Sequence, residues 1–241
     1  MPRLKESDLA VITASVGGGA LFSQETGKFD PLVVAELSNF FRGQIEENHT
    51  VIAVIGGGPP ARDAIKRAQE NSITGPDNLD RLGIQVTWKN AAIIKHLLTE
   101  CGLPIEFHRF NRPLTKGVIY VRGGNRPGHT TDFVAVQAAY EAGQKVLLNI
   151  TSVPGVFPVD HGHLNKSEII SELTWDTFLS TISTKSHIPG INTVFDRKAA
   201  QLAQSYGMTV AIIGGPDPEE VFTNVNKLLR GQEFRGTLIH P

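Results

Sequence analysis

The chain has 241 residues, 40% of them hydrophobic and 20% charged, as expected of a globular protein with a substantial core. The formal net charge is −1 and no lysine or arginine cluster stands out, which argues against partners such as nucleic acid or anionic membranes. The single cysteine, Cys101, cannot form an intramolecular disulfide, and we expect it to pack at a helix end rather than act as a nucleophile. A polar N-terminus and the lack of an 18-residue apolar span predict a cytoplasmic protein.

Two apolar runs in the first part of the chain each end in three glycines. Residues 9–14 and 51–55 are predicted as buried strands, followed by glycines 17–19 and 56–58. Helices are predicted over 32–45, after Pro31, and over 61–70. The unit of strand, glycine turn and helix therefore occurs twice.

The remaining elements continue this alternation. Residues 71–78 are predicted as a loop, and a long helix over 79–100 is stopped by Gly102 and Pro104. Further strands are predicted at 105–108, 118–121, 145–150, 208–213 and 236–239. Further helices are predicted at 133–142, 174–180, 196–206 and 218–229.

Alternating strands and helices predict an α/β fold, a three-layer α/β/α sandwich with a mainly parallel central sheet. In such sheets ligands bind beyond the carboxyl ends of the strands. Four glycine-rich turns, at 17–19, 56–58, 123–128 and 214–215, follow apolar strands. Because glycine turns let several backbone N–H groups converge on phosphates, we predict one extended polyanion site.

The most informative turn is 123–132, Gly-Gly-Asn-Arg-Pro-Gly-His-Thr-Thr-Asp. Its threonines and Asp132 fall where a helix would begin, so they either cap that helix or face a bound anion. Both interpretations stay open from the residues alone.

Several familiar fingerprints are absent or incomplete. There is no Walker-type phosphate loop and no Gly-x-Ser-x-Gly nucleophile motif. Residues 56–61 satisfy Gly-x-Gly-x-x-Ala, but Asp77 and Asp80 do not follow a second strand, which disfavours a Rossmann dehydrogenase. His161 and His163 are interpreted as a solvated loop pair rather than a metal site.

Several segments together resemble the amino acid kinase superfamily, and within it the archaeal-type uridylate (UMP) kinases. The resemblance runs from about Ser15 to the C-terminus and is carried by residues 56–62, 80–90, 127–132, 151–160, 196–200 and 236–239. Segment 127–132, Pro-Gly-His-Thr-Thr-Asp, is the most specific, because it separates UMP kinases from carbamate, acetylglutamate, aspartate and isopentenyl phosphate kinases.

The resemblance implies transfer of a phosphoryl group from ATP to UMP, giving UDP, with Mg²⁺ as cofactor and no metal ligand assigned in the chain. It implies catalytic roles for Arg62 and Asp196. The implied ATP-binding residues are Gly18, Gly19, Gly58, Arg62, Thr151, Phe157 and Asp160. The implied UMP-binding residues are Gly57, Asp80, Asn125, Arg126, Pro127, Gly128, His129, Thr130 and Thr131. For Asp80, an ordinary helix N-cap is the alternative.

The same resemblance implies a single domain over 1–241, with an acceptor-binding lobe at about 1–144 and a nucleotide-binding lobe at about 145–241. It also implies a homo-oligomer, a hexamer built from dimers, whose partners are otherwise small-molecule nucleotides. The predicted helix 32–45, with Phe40 and Phe41, is either a subunit contact or a core-facing helix.

The chain departs from the family pattern at several positions. Ser15 and Pro59 occupy positions where the family pattern has a lysine, and Gly19 occupies the position of a serine. Pro154 replaces an aspartate, Trp88 an arginine and Phe157 a tyrosine. Lys5, Lys89 or Lys198 could supply the missing cation. Two alternatives therefore stay open: a catalytically weak or inactive nucleotide-binding or regulatory protein on this fold, and a kinase of this fold for another small phosphate or carboxylate acceptor.

Overall fold

The computed structural model describes residues 10–23, 26–160, 163–164, 168–182 and 194–241, with the backbone alone at 159–160 and 163–164. In chain order its elements are β1 (Val11–Val16), α1 (Gly18–Leu21), α2 (Pro31–Glu46), β2 (Thr50–Ile55), α3 (Gly58–Glu70), α4 (Pro76–Glu100), β3 (Ile105–Phe107), β4 (Ile119–Arg122), α5 (Thr131–Glu141), β5 (Val146–Thr151), β6 (Val159–Asp160), β7 (His163–Leu164), β8 (Glu172–Thr174), α6 (Trp175–Thr181), α7 (Arg197–Ser205), β9 (Thr209–Gly214), α8 (Pro218–Leu229) and β10 (Thr237–His240).

The central sheet has eight strands in the order β3-β4-β2-β1-β5-β9-β10-β8. Its pairs are parallel except β9 with β10, which is antiparallel. The predicted α/β fold with a mainly parallel sheet is confirmed. A separate hairpin pairs β6 with β7.

Both faces of the sheet are buried, which explains why its strands read as continuous apolar runs. Along β2, Val51, Ala53 and Ile55 point into the core shared with α2, α4 and α8. Val54 points to the opposite face, into the core shared with α5, α6 and α7. Because successive side chains of a strand point to opposite faces, β2 contributes to two hydrophobic layers. Phe40 and Phe41 of α2 are buried in the first layer, so this part of the helix faces the core.

The sequence prediction was wrong at a few boundaries. The loop predicted at 71–78 ends early, because α4 already begins at Pro76, a residue favoured at the first position of a helix. Residues 18–21 form a short helix, and β8 was not predicted. Cys101 is exposed at the C-cap of α4, so it has no packing role. His161 lies outside the described residues, as does the side chain of His163.

The turns after β1 and β2 touch through their backbones. A Cβ on Gly18 would overlap the backbone N of Gly58 and lie 2.8 Å from the carbonyl carbon of Gly57. A Cβ on Gly58 would lie 2.7 Å from the Gly18 oxygen, and Gly58 also has a φ of 61°. Only glycine allows this approach without strain.

We therefore expect Gly18→Ala to lower the free energy of unfolding by roughly 1–3 kcal/mol, because the added methyl meets backbone that cannot move aside. Gly43→Ala in α2 is the matched control, since a Cβ there meets no atom within 4 Å. Gly43→Ala should raise the free energy of unfolding by about 0.5–1 kcal/mol, because alanine has a higher helix propensity than glycine. Urea unfolding measures both, and equal stability of the two variants would contradict the packing argument.

Candidate functional site

A cavity of about 900 Å³ opens at the carboxyl ends of β1, β5 and β9, and we call it the central cavity. Its wall comes from the turns after these strands together with the starts of α3, α5 and α8. Because the carboxyl ends of parallel strands meet at one edge of the sheet, glycine turns distant in sequence converge there. The turns after β1 and β9 contribute Gly17, Gly18, Gly19 and Gly215, and the start of α3 contributes Gly58.

Five residues of the predicted ATP-binding set line the central cavity: Gly18, Gly19, Gly58, Arg62 and Thr151. Phe157 is half-buried and lies outside the wall. Asp160 is in the backbone of β6, and its side chain lies outside the described residues. The structure therefore brings five of these seven residues together and places Phe157 apart from them, while the role of Asp160 stays a prediction.

The predicted UMP-binding residues lie mainly on one loop, residues 123–131, which we call the acceptor loop. It joins β4 to α5 and packs on α4. Gly128 N–H donates to Asp80 Oδ2 at 2.7 Å, and Thr87 Oγ1 accepts from Gly124 N–H at 2.8 Å. Asp80 stands in the second turn of α4, so the alternative that it is a helix N-cap is wrong.

Within the acceptor loop, the polar side chains bind one another. Asn125 Oδ1 accepts from the Arg126 N–H at 2.7 Å and contacts His129 Nδ1 at 3.2 Å. Arg126 Nε donates to His129 Nε2 at 3.2 Å. Burial lowers the pKa of His129, and the charges of Arg126 and Lys198 lower it further. His129 is therefore neutral, and its Nε2 accepts the hydrogen bond from Arg126. Pro127 lies in the same turn, and Gly57 is held from α4, where Asn90 Nδ2 donates to its carbonyl at 3.1 Å.

The start of α5 joins the acceptor loop to the C-terminal part of the chain. Thr130 caps α5 by accepting from Phe133 N–H at 3.1 Å. The Thr130 hydroxyl also donates to Asp196, which itself caps α7 by accepting from Lys198 N–H at 2.8 Å. The first-turn residues Thr131 and Asp132 face the central cavity. Two helix N-termini thus meet beside the cavity, a polarity that suits a bound anion.

A serine–carboxyl pair occupies a place where the family resemblance expects a lysine. Ser15 is fully buried, and its hydroxyl donates to Asp132 Oδ1 at 2.7 Å. Burial raises the pKa of Asp132 to about 7 against the hydrogen bond from Ser15, and the charge of Asp196 adds to the rise. With this raised pKa, Asp132 can hold its proton near neutral pH.

The remaining cations are distributed unevenly. Among the described residues of the cavity wall, Arg62 is the one lysine or arginine. Lys198 Nζ donates to the Gly128 carbonyl at 3.2 Å, so this substitute lysine reaches the acceptor loop. Lys89 is exposed on α4, and Lys5 lies outside the described residues.

Some residues of the cavity wall were not predicted as site residues. Asp132 was in the quoted motif, where it was interpreted as a helix cap or as part of a group facing an anion, but it was not assigned as a site residue. Asn149 is 2% exposed, lines the cavity and donates to the Val194 carbonyl at 2.8 Å. Its position inside the apolar run 145–150 was the available signal, because a buried polar group needs a partner. Val221 and Phe222 of α8 carried no signal beyond helical periodicity.

Two further features concern metal binding and membranes. Across the residues that the structure describes, no three His, Cys, Asp or Glu side chains cluster as metal ligands would. In the same part of the chain, no helix has the length and apolar character needed to cross a membrane.

Known proteins resemble this chain over most of its length. Residues 15–214 match the amino acid kinase family. The uridylate kinase of Natronomonas pharaonis is 33% identical over 214 residues, covering 87% of this chain and 92% of that protein. The uridylate kinase of Methanobrevibacter smithii is 31% identical over 226 residues, covering 92% and 96%. The crystal structure of a UMP kinase from Bacillus anthracis matches with a TM-score of 0.75 at 25% identity, covering 96% of each chain.

The protonated Asp132 predicts a pH effect on stability. Its folded-state pKa of about 7 exceeds the ordinary aspartate pKa of 3.8, so between these values the native state holds a proton that the unfolded chain has lost. Stability should therefore fall as pH rises through that window, by at most about 1.4 kcal/mol per pH unit for one proton. The Asp132→Asn variant has no titrating carboxyl at this position, so it should not lose stability in this way as the pH rises.

We expect urea unfolding to show Asp132→Asn gaining stability relative to wild type between pH 5 and pH 8. The exposed change Asp63→Asn in α3 is the control for net charge. A constant difference between Asp132→Asn and wild type across this range would contradict the assignment.

Proposed function

The chain belongs to the amino acid kinase family, and from that premise we propose that it transfers the terminal phosphoryl group of ATP to UMP, giving ADP and UDP. The observation that carries the proposal is the acceptor loop, which retains Pro-Gly-His-Thr-Thr-Asp at 127–132 and lies against the central cavity through Thr131. Relatives at 31–33% identity carry the name uridylate kinase.

On the acceptor side, the acceptor loop and Asp80 hold UMP. Thr131 offers a hydroxyl at the N-terminus of α5, where the helix dipole favours a phosphate, while the hydroxyl of Thr130 donates to Asp196. Arg62, in the second turn of α3, supplies a guanidinium that pairs well with phosphate oxygens. A phosphate oxygen of UMP attacks the γ-phosphorus while the bond from that phosphorus to the bridging oxygen of ADP breaks.

On the nucleotide side, ATP occupies the central cavity with its phosphates against Gly18, Gly19 and Gly58. Thr151, at the end of β5, lies on the same wall. The approach of backbone to backbone at these glycines exposes N–H groups to the phosphates. Catalysis by such a site is mainly positioning and charge neutralisation.

The wall also fits a magnesium ion carried in with ATP. Mg²⁺ prefers one or two carboxylate oxygens together with phosphate oxygens. Asp132 presents such an oxygen to the cavity, and Asp196 lies beside it through Thr130. When bound, the ion supplies positive charge next to the phosphates. Asp132 is the residue that would hold it, and a cation there favours its ionised form.

The missing lysine makes Arg62 the principal cation of the proposed reaction. One lost charge-stabilising donor commonly costs about 2.7–4 kcal/mol of transition-state stabilisation, so we expect a slow enzyme. Asp196 acts by holding Thr130 at the start of α5. Division into lobes near residue 144, a homo-oligomer and a cytoplasmic location stay predictions.

We expect a coupled assay with ATP and Mg²⁺ to show turnover with UMP in preference to CMP, carbamate and isopentenyl phosphate. The reason is that the most specific segment of the acceptor loop is intact while the departures lie elsewhere. Calorimetric UMP binding without turnover on any acceptor would favour the non-catalytic alternative. Turnover on a different acceptor would favour the kinase of other specificity.

Arg62→Ala should reduce kcat by about 10²–10³-fold, because the cavity wall loses its guanidinium. Arg67→Ala is the matched control, since Arg67 is exposed on the same helix and lies outside the wall. The same coupled assay compares them. Comparable losses in both variants, or none in either, would show that Arg62 does not act on the phosphates.

A further inference from the structure

Two neighbouring side chains of α4 hold both backbone polar groups of Gly124. Thr87 Oγ1 accepts from the Gly124 N–H at 2.8 Å, and Trp88 Nε1 donates to the Gly124 carbonyl at 2.8 Å. Thr87 is itself fixed, because its hydroxyl donates to the Ile84 carbonyl at 2.6 Å. The beginning of the acceptor loop is thus attached to α4 through both the N–H and the carbonyl of Gly124.

The same helix holds the far part of the acceptor loop. Asp80 accepts from Gly128 N–H at 2.7 Å. Asp80 and Thr87 are seven residues apart, which places them two turns apart on one face of α4. The loop is therefore fixed at two points on one helix, and Trp88 completes the first of them.

The ring of Trp88 also faces a buried cation. Arg122 is 4% exposed, and its guanidinium carbon lies 6.0 Å from the Trp88 ring centre and 3.8 Å from that of Phe110. Its Nε donates to the Gly123 carbonyl at 3.2 Å. Burial lowers the pKa of Arg122 to about 10, and aromatic faces favour a cation that is short of water. Position 88, where the resemblance expects arginine, would place a second guanidinium beside this one.

We propose that Trp88 is a positioning residue for the acceptor, which fixes the acceptor loop through the Gly124 carbonyl and so sets the affinity for the pyrimidine nucleotide. The proposal rests on the proposed function for the identity of the acceptor. Trp88 contributes one hydrogen-bond donor to the loop and an aromatic face to Arg122, whereas the nucleotide in the central cavity is held by other elements.

The two tryptophans of the chain provide a matched pair of variants. Trp175 Nε1 donates to the Met208 carbonyl at 2.8 Å, the same kind of bond at the same length, but in α6 and away from the acceptor loop. Trp88→Phe and Trp175→Phe each remove one indole N–H and keep an aromatic ring. A purely structural role for both predicts a loss of stability and nothing else.

For Trp88→Phe we expect the KM for UMP to rise about tenfold, since the Gly124 carbonyl is left unpaired. The KM for ATP should stay within about twofold of the wild-type value, and kcat within about threefold. Hydrogen exchange at the amides of Gly124 and Gly128 should become faster. In Trp175→Phe the KM for UMP and these amides should remain as in wild type.

An unchanged KM for UMP in Trp88→Phe would overturn the proposal, as would an equal rise in Trp175→Phe. If wild type neither binds nor phosphorylates UMP, the proposed function fails, and the exchange rates then decide the role of Trp88. In that case unaltered exchange at Gly124 and Gly128 in Trp88→Phe overturns the positioning role, and faster exchange confined to that variant supports it.

Discussion

The close contact between the turns after β1 and β2 is the constraint on which the site depends. Gly17 N–H donates to the Ile150 carbonyl at 2.8 Å, and Gly56 N–H donates to the Val16 carbonyl at 2.9 Å. These bonds extend the strand pairing beyond the sheet edge, and the absence of side chains at Gly18 and Gly58 lets the backbones meet. The floor of the central cavity is consequently made of backbone, which is the surface that phosphates approach most closely.

A second requirement is that the acceptor loop be held next to this floor. Most of its polar side chains bond within the loop, and its fixed points come from α4 on one side and from Asp196 on the other. Two departures from the family pattern bear on these requirements. Ser15 stands in place of a lysine and donates to Asp132, whose pKa is raised by burial, whereas Trp88 changes how the loop is attached without adding a charge.

The sequence predicted the layers and most elements because their causes are local. A strand buried on both faces is a continuous apolar run, and the boundaries of α8 follow from Asp217, Pro218 and the helical periodicity. The start of α4 was predicted too late because Pro and Asp, the residues at 76 and 77, are also common in turns. The contact of Ser15 with Asp132 joins residues 117 positions apart, and that of Lys198 with Gly128 joins residues 70 apart. Pairs of that kind depend on strand order and loop geometry, which no local pattern encodes.

We propose that ATP in the central cavity and UMP on the acceptor loop occupy one continuous site. A bisubstrate compound that links adenosine to uridine through five phosphates tests this directly by calorimetry. We expect this compound to bind more tightly than ATP or UMP alone, because its second half binds as part of the same molecule. Prior saturation with either nucleotide should weaken its binding. Affinity no greater than that of ATP, with UMP unable to compete, would show that the two nucleotides do not share one site.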